Sequence, residues 1–367
     1  MASFTTFSLT TDFPTTLSPN NTASKLTNNI SPEVMQRELI VFILTTIFVS
    51  FGMIGIGATV DYKVVLKYLK KPHAYAPGVF IQLACVPPLA WALTKIFQMP
   101  RAEALGVMIQ GSCPGGTISN LVVFWTGGVI DLSVAMTATT TLLSLGTMPM
   151  WLFIFSKVEE LPVNLLVPFD KLGILLASLI FPLALGMTVR TKFPKKAELV
   201  TKICVGTLTL FIIISVIVTS VLRKIPWIFT WKQIVVACLM PILAFGIGYL
   251  PTLLPCLEVD NRCRRTVAVE IALQNVQVAG SIIQISFGAI PAVLVKTVLF
   301  PFLYGVFQLV YSITMGLVMI VGRRHGWLGD DETVYKLDDA RRQVAITSVA
   351  KENVAYKNDV DIAINTV

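Results

Sequence analysis

The chain has 367 residues, 54% apolar and 14% charged, with a mean hydropathy of +0.75 and a net charge of +8. Soluble domains carry about 45–50% apolar and about 25% charged residues, so a soluble enzyme is excluded. The cations sit in short connections between apolar runs and read as topology signals, not as a nucleic-acid surface.

Residues 1–37 are rich in Ser, Thr, Asn and Pro and hold no apolar run, so the first span is expected to act as its own insertion signal. The triplets Asn20-Asn21-Thr22 and Asn29-Ile30-Ser31 make Asn20 and Asn29 candidate glycosylation sites if this end faces outside. Nine apolar segments follow, at about 38–60, 74–96, 103–125, 132–156, 172–189, 203–222, 233–255, 266–289 and 291–321. Each is near the ~20 residues that a membrane helix needs. An odd number of crossings puts the termini on opposite sides. The connections after the first, fifth and seventh segments carry Lys63, Lys67, Lys70 and Lys71, then Arg190, Lys192, Lys195, Lys196 and Lys202, then Arg262, Arg264 and Arg265. That side is expected to be cytoplasmic, although Arg223, Lys224 and Lys232 lie opposite. The chain thus divides into an extracellular segment (1–37), a transmembrane domain (38–321) and a cytoplasmic tail (322–367) whose alternating charges predict disorder.

Six cysteines, in or beside apolar runs, imply no disulfide framework, and CxxC and HExxH patterns are absent. With two histidines, His73 and His325, at the edges of basic segments, catalytic residues and a histidine metal cage are not expected.

Polar side chains are expensive at membrane depth and turn toward a bundle interior or a wet path. Three segments carry them. The third holds Gln110-Gly111-Ser112-Cys113-Pro114-Gly115-Gly116-Thr117-Ile118-Ser119-Asn120, where proline removes a helix hydrogen bond and each glycine weakens the helix by ~1 kcal/mol. This fits a discontinuous helix or a tight crossing that needs small residues. In the fourth, Ser133, Thr137, Thr140 and Ser144 fall on one helical face, either as ligands or bonded back to their own helix. In the eighth, Glu270, Gln274, Gln277, Ser281 and Gln284 fall on one face with Asn275 beside them. An ionised carboxylate at that depth requires a cation. Lys296 is one candidate. A bound monovalent ion fits the neutral oxygens around Glu270 better, because no thiolate or imidazole cluster is present.

The third and eighth segments are five apart, as the broken helices of an inverted-repeat transporter would be if segments 1–4 and 6–9 were repeats joined by the fifth. The fold predicted is all-α and membrane-spanning.

The runs Gly111 to Asn120, Asp131-Leu132-Ser133-Val134-Ala135-Met136-Thr137, and Arg262-Cys263-Arg264-Arg265-Thr266-Val267-Ala268-Val269-Glu270 followed by Gln274-Asn275-Val276-Gln277 resemble the bile acid:sodium symporter family. Its animal sodium/bile acid cotransporters and sodium-dependent organic anion transporters are the most similar. The resemblance covers about residues 38 to 321. It implies nine transmembrane helices, a core and a panel domain, two crossed broken helices, alternating access, and two sodium ions as co-substrates. It assigns Ser119, Asn120, Ser133, Thr137 and Glu270 to a first sodium site and Gln82, Glu270 and Gln274 to a second. It places Gly115, Gly116 and Asn275 next to the substrate.

Three departures from the family pattern stand out. Ile271-Ala272 replaces Thr-Gly, the run Thr137-Ala138-Thr139-Thr140-Thr141 lacks a central Cys, and Gly128 replaces an acid. A β-branched residue where glycine would ease helix opening predicts a weaker second site.

The expected function is import, across the plasma membrane and through the lipid bilayer, of an amphipathic organic anion such as a bile salt or sulfated steroid. The alternatives are a same-fold transporter with another substrate or proton coupling, and a receptor, which nine spans disfavour. No nucleic-acid partner or enzymatic activity is expected, and the sequence leaves the oligomeric state open.

Overall fold

The computed structural model describes residues 50–159, 169–210, 228–287 and 291–325, apart from positions 56, 61, 71, 198, 205, 208 and 209, together with Ile43 and Ile47. Asn20, Asn29, the tail beyond 325 and most of the predicted sixth segment lie outside them, and the first segment is described mainly in its second half. The described elements are helices: α1 (Tyr62–Lys70), α2 (Tyr75–Ile96), α3 (Arg101–Gly111), α4 (Thr117–Trp125), α5 (Ile130–Val158), α6 (Phe169–Lys192), α7 (Trp231–Tyr249), α8 (Asn261–Ala272), α9 (Val276–Phe287) and α10 (Pro291–Arg324).

Among the described residues, four stretches are long and apolar enough to cross a membrane: Tyr75–Ile96, Ile130–Val158, Trp231–Leu253 and Val293–Gly322. By contrast α3, α4, α8 and α9 have 9 to 12 residues each. At 1.5 Å rise per residue such pieces reach about half of a ~30 Å hydrocarbon core, so each crossing needs two in series. Leu309, Val310, Ile313, Leu317 and Val318 of α10 are exposed, and in a bilayer that apolar face meets lipid.

The third and eighth segments are therefore interrupted, and the cations fall differently from the loop placement expected. Lys63, Lys67 and Lys70 lie on α1. Arg262, Arg264 and Arg265 lie in the first turns of α8, because the Asp260 carboxylate caps that helix by accepting from the Cys263 N–H at 2.9 Å. On the opposite side Thr230 and Gln233 form a capping box that starts α7. Helix α10 runs to Arg324, three residues past the predicted end at 321.

Proline shapes α2. Pro87 has no N–H to offer the Leu83 carbonyl, and residues Ile81–Cys85 widen into a π turn in which the Val86 N–H returns to Ile81. The indole of Trp151 on α5 donates to the Leu83 carbonyl at 2.8 Å and satisfies it. Gln82 sits inside this widened turn, only 1% exposed.

Two large apolar clusters hold the bundle, and a smaller third gathers Val122, Val123, Val269, Ala272 and Leu273. Of the large two, one packs Ile109 of α3 and Cys113 just past its end with Met148 and Leu152 of α5 and Ile282, Ile283 and Phe287 of α9. The other gathers Val86 and Ala90, Met136, Met240, Ile271, Phe300 and Tyr304. The end of the first segment crosses α6 backbone to backbone: a Cβ on Gly57 would lie 2.2 Å from the Leu183 carbonyl, and one on Gly186 2.2 Å from the Ile54 carbonyl.

Candidate cation site at the crossing of two broken helices

Helix α3 stops at Gly111, the chain runs extended through Pro114-Gly115-Gly116, and α4 starts at Thr117. Helix α8 stops at Ala272 because Leu273 leaves the helical region, with φ −107 and ψ 97, and α9 starts at Val276. The two gaps pair as a short antiparallel bridge between Gly115 and Gln274. The Gly116 N–H donates to the Leu273 carbonyl and the Asn275 N–H to the Pro114 carbonyl, both at 2.9 Å. These bonds satisfy backbone groups that the breaks would otherwise leave orphaned away from water. Two half-helix C-termini (α3, α8) and two N-termini (α4, α9) converge there. Partial negative charge at the former favours cations, and partial positive charge at the latter favours anions.

One turn before its break, α8 points Glu270 into the bundle, where the residue is fully buried. Its Oε2 accepts from the Ser133 hydroxyl at 2.6 Å, and its Oε1 accepts from the Thr137 hydroxyl. Ser133 Oγ also lies 2.8 Å from the Asn120 Oδ1, and Thr137 Oγ1 lies 3.0 Å from the Ser133 carbonyl. Each hydroxyl has one proton and faces two acceptors. The cluster thus holds more lone pairs than protons, which is the electrostatic condition for a cation bound by hard oxygens. Ser119, buried at the start of α4, donates to the Gly116 carbonyl at 2.6 Å.

The crossing glycines are set by contact. A Cβ on Gly115 would stand 2.5 Å from Glu270 Oε1, and one on Gly116 2.8 Å from the Gln274 carbonyl. Asn275 caps α9 by accepting from the Val278 N–H at 3.1 Å through its side chain.

The structure thus brings Ser119, Asn120, Ser133, Thr137 and Glu270 together. Gln82 and Gln274 are each buried and no hydrogen bond joins them. The Gln274 amide donates to the Gly111 carbonyl at 3.4 Å and its Oε1 has no protein partner, while neither amide atom of Gln82 has one. The Glu270–Lys296 pair is not formed: the carboxylate is bonded to hydroxyls, and the Lys296 main chain accepts from Gln233 at 3.4 Å.

The structure decides between the two readings of one polar stripe and corrects the other stripe. Of the hydroxyl stripe on α5 only Ser133 and Thr137 reach Glu270; Thr140 and Ser144 donate to the carbonyls of Thr137 and Thr141 on their own helix. The five-residue stripe of the eighth segment is split by the break, with Glu270 on α8 and Gln277, Ser281 and Gln284 on α9. Helix opening at Leu273 also leaves Ile271 and Ala272 helical, so the β-branched residue does not obstruct it.

The roles of three residues escaped the sequence reading. Arg262 donates to the Gly127 and Gly128 carbonyls at 3.0 and 3.4 Å, and Thr266 accepts from the Val129 N–H at 2.8 Å, tying α8 to the turn between α4 and α5. Tyr304 of α10 donates to the Ala272 carbonyl at 2.8 Å. The last had a signal, since Tyr304, Gln308 and Ser312 fall at i, i+4 and i+8 of an apolar run and all three are buried.

Residues 46–231 match the sequence model of the Sodium Bile acid symporter family. The chain is 33% identical to the ileal sodium/bile acid cotransporter of Homo sapiens over 300 residues, 82% of this chain and 83% of that protein. It is 32% identical to the Cricetulus griseus protein of the same name over 312 residues, 84% of this chain and 88% of that one. With the sodium-dependent organic anion transporter of Rattus norvegicus it shares 33% identity over 278 residues, 75% of this chain and 73% of that protein.

Proposed function

The chain belongs to the Sodium Bile acid symporter family, a family of transporters and not of enzymes, and from that premise we propose that it is a sodium-coupled importer of amphipathic organic anions. The substrate class is bile salts or sulfated steroids, in keeping with the names of its relatives.

The observation that carries this reading is the surplus of oxygen acceptors over protons around the buried Glu270. The first sodium ion takes Ser119, Asn120, Ser133, Thr137 and Glu270. The second shares Glu270 and takes Gln82 and Gln274, whose amide oxygens have no protein partner and so are open to an ion. The anion lies on the other side of the crossing, beside Gly115, Gly116 and Asn275, where the N-termini of α4 and α9 supply partial positive charge. A core domain with the crossing alternates against a panel domain containing the first segment and α6. The whole is a nine-span protein of the plasma membrane, with its N-terminus outside and its tail in the cytoplasm.

The mechanism follows from charge. An ionised Glu270 without sodium is a buried charge that its hydroxyl partners cannot neutralise; occupied, the site is neutral or positive and favours an anionic substrate nearby. Binding of ion and anion is then reciprocal. Two sodium ions with one monovalent anion carry net charge inward, worth about 2.3 kcal/mol per 100 mV.

Uptake of labelled taurocholate and of steroid sulfates into cells expressing the chain, in sodium and with choline in its place, tests the proposal. Uptake in sodium alone, with inward current, is expected. Equal uptake in choline overturns sodium coupling, and uptake in choline that rises in acid assigns coupling to protons.

A further inference from the structure

The second break is closed by a residue from outside both broken helices. Ala272 is the last residue of α8, and its carbonyl is one that helix termination leaves without an intrahelical partner. Both Ala272 and Tyr304 are fully buried, so water cannot serve that carbonyl. The Tyr304 hydroxyl, coming from the middle of α10, donates to it at 2.8 Å. On either side the chain is committed: the Leu273 N–H returns to Val269, the Leu273 carbonyl receives the Gly116 N–H, and the Asn275 N–H goes to Pro114. With the Ala272 peptide pinned as well, the last turn of α8, which carries Glu270, has one orientation relative to the crossing. The phenol ring is itself locked, packed against Phe300 at a centroid distance of 6.2 Å within the apolar cluster that also holds Ile271.

We propose that Tyr304 is a positioning residue for the second cation site, fixing the C-terminal turn of α8 through the Ala272 carbonyl and thereby setting how the two sodium ions cooperate. This rests on the symport reading above. The hydroxyl touches neither ion nor substrate. Without it a buried carbonyl is left unpaired, the turn rearranges to find a donor, and the Glu270 carboxylate and Gln274 amide oxygen offered to the second ion shift with it.

The test is the sodium-activation curve of uptake for Tyr304→Phe, which keeps the ring and removes only the hydroxyl. Half-activating sodium should rise by about threefold to tenfold, the range that one lost neutral hydrogen bond gives. The Hill coefficient should fall toward one, with half-saturating substrate at high sodium unchanged. Leu294→Ala, on α10 but in the other apolar cluster, is the packing control: it should lower surface protein and leave half-activating sodium where it was.

A Tyr304→Phe curve that superimposes on that of the unaltered chain overturns the proposal, whatever the surface level. If the variant is not delivered to the surface, sodium-dependent thermal protection of the detergent-purified protein decides by the same shift or its absence. Failure of the underlying reading is separate, because uptake by the unaltered chain that ignores sodium rejects symport before any variant is compared.

Discussion

The two interruptions at the crossing are built on opposite principles. The first, between α3 and α4, is intrinsic to its residues: Pro114 lacks a donor, Gly115 and Gly116 lack side chains, and the helix fails there whatever surrounds it. The second, between α8 and α9, contains Leu273, Gln274 and Asn275, with neither glycine nor proline. It is held open from outside, by the Gly116 N–H on Leu273, by Tyr304 on Ala272 and by the Gln274 amide on Gly111. A break of the first kind is rigidly placed by sequence. One of the second kind depends on its partners and responds to what binds them.

Substitutions that attack each side of this contrast should rank accordingly. Glu270→Gln should reduce sodium-driven uptake to below about 5% of the unaltered level while surface biotinylation shows the protein in place, because the carboxylate of the proposed cation site loses its charge. Gly115→Ala drives a Cβ to 2.5 Å from Glu270 Oε1, and overpacking of that kind costs about 1–3 kcal/mol, so uptake at low sodium should drop roughly tenfold or more. Asn275→Ala removes the cap of α9, worth about 1 kcal/mol. Its melting temperature in detergent should fall by about 2–4 °C, and sodium should restore part of the loss. Ser144→Ala removes a hydroxyl bonded only to its own helix, so uptake should stay within about twofold of the unaltered chain. A Ser144→Ala effect as large as that of Gly115→Ala would mean that the α5 stripe acts as a whole.

The intrinsic break was legible in the sequence and the dependent one was only half so. Pro114 and the glycine pair mark the first, and the long apolar runs predicted α2, α5, α7 and α10 to within a few residues. Periodicity found the polar residues of the eighth segment but assumed a continuous helix, so it placed Glu270 and Gln284 on one face that the break divides. Nothing local announces that break, since the groups that stabilise it are more than a hundred residues away at Gly111 and Gly116, or on α10 at Tyr304. The α8 start was readable in principle: Asp260 before Asn261 and Arg262 is a helix-capping pattern, and counting the arginines as loop residues passed over it. The Ser133–Glu270 and Thr137–Glu270 contacts join positions more than 130 residues apart, which spacing along one helix cannot foresee.

The paired main-chain bonds of the crossing have a consequence for isotope exchange. The amide hydrogens of Gly116 and Asn275 are each held by the other broken segment, so neither can be released by fraying of its own half-helix. If inward and outward states interconvert by movement around an intact crossing, deuterium should reach these two amides no faster during turnover than at rest. Under the proposed alternating access, the Gln277 to Ser281 stretch of α9 should label at a rate set by transport. The ratio of the two rates would count how many cycles pass before the crossing itself opens.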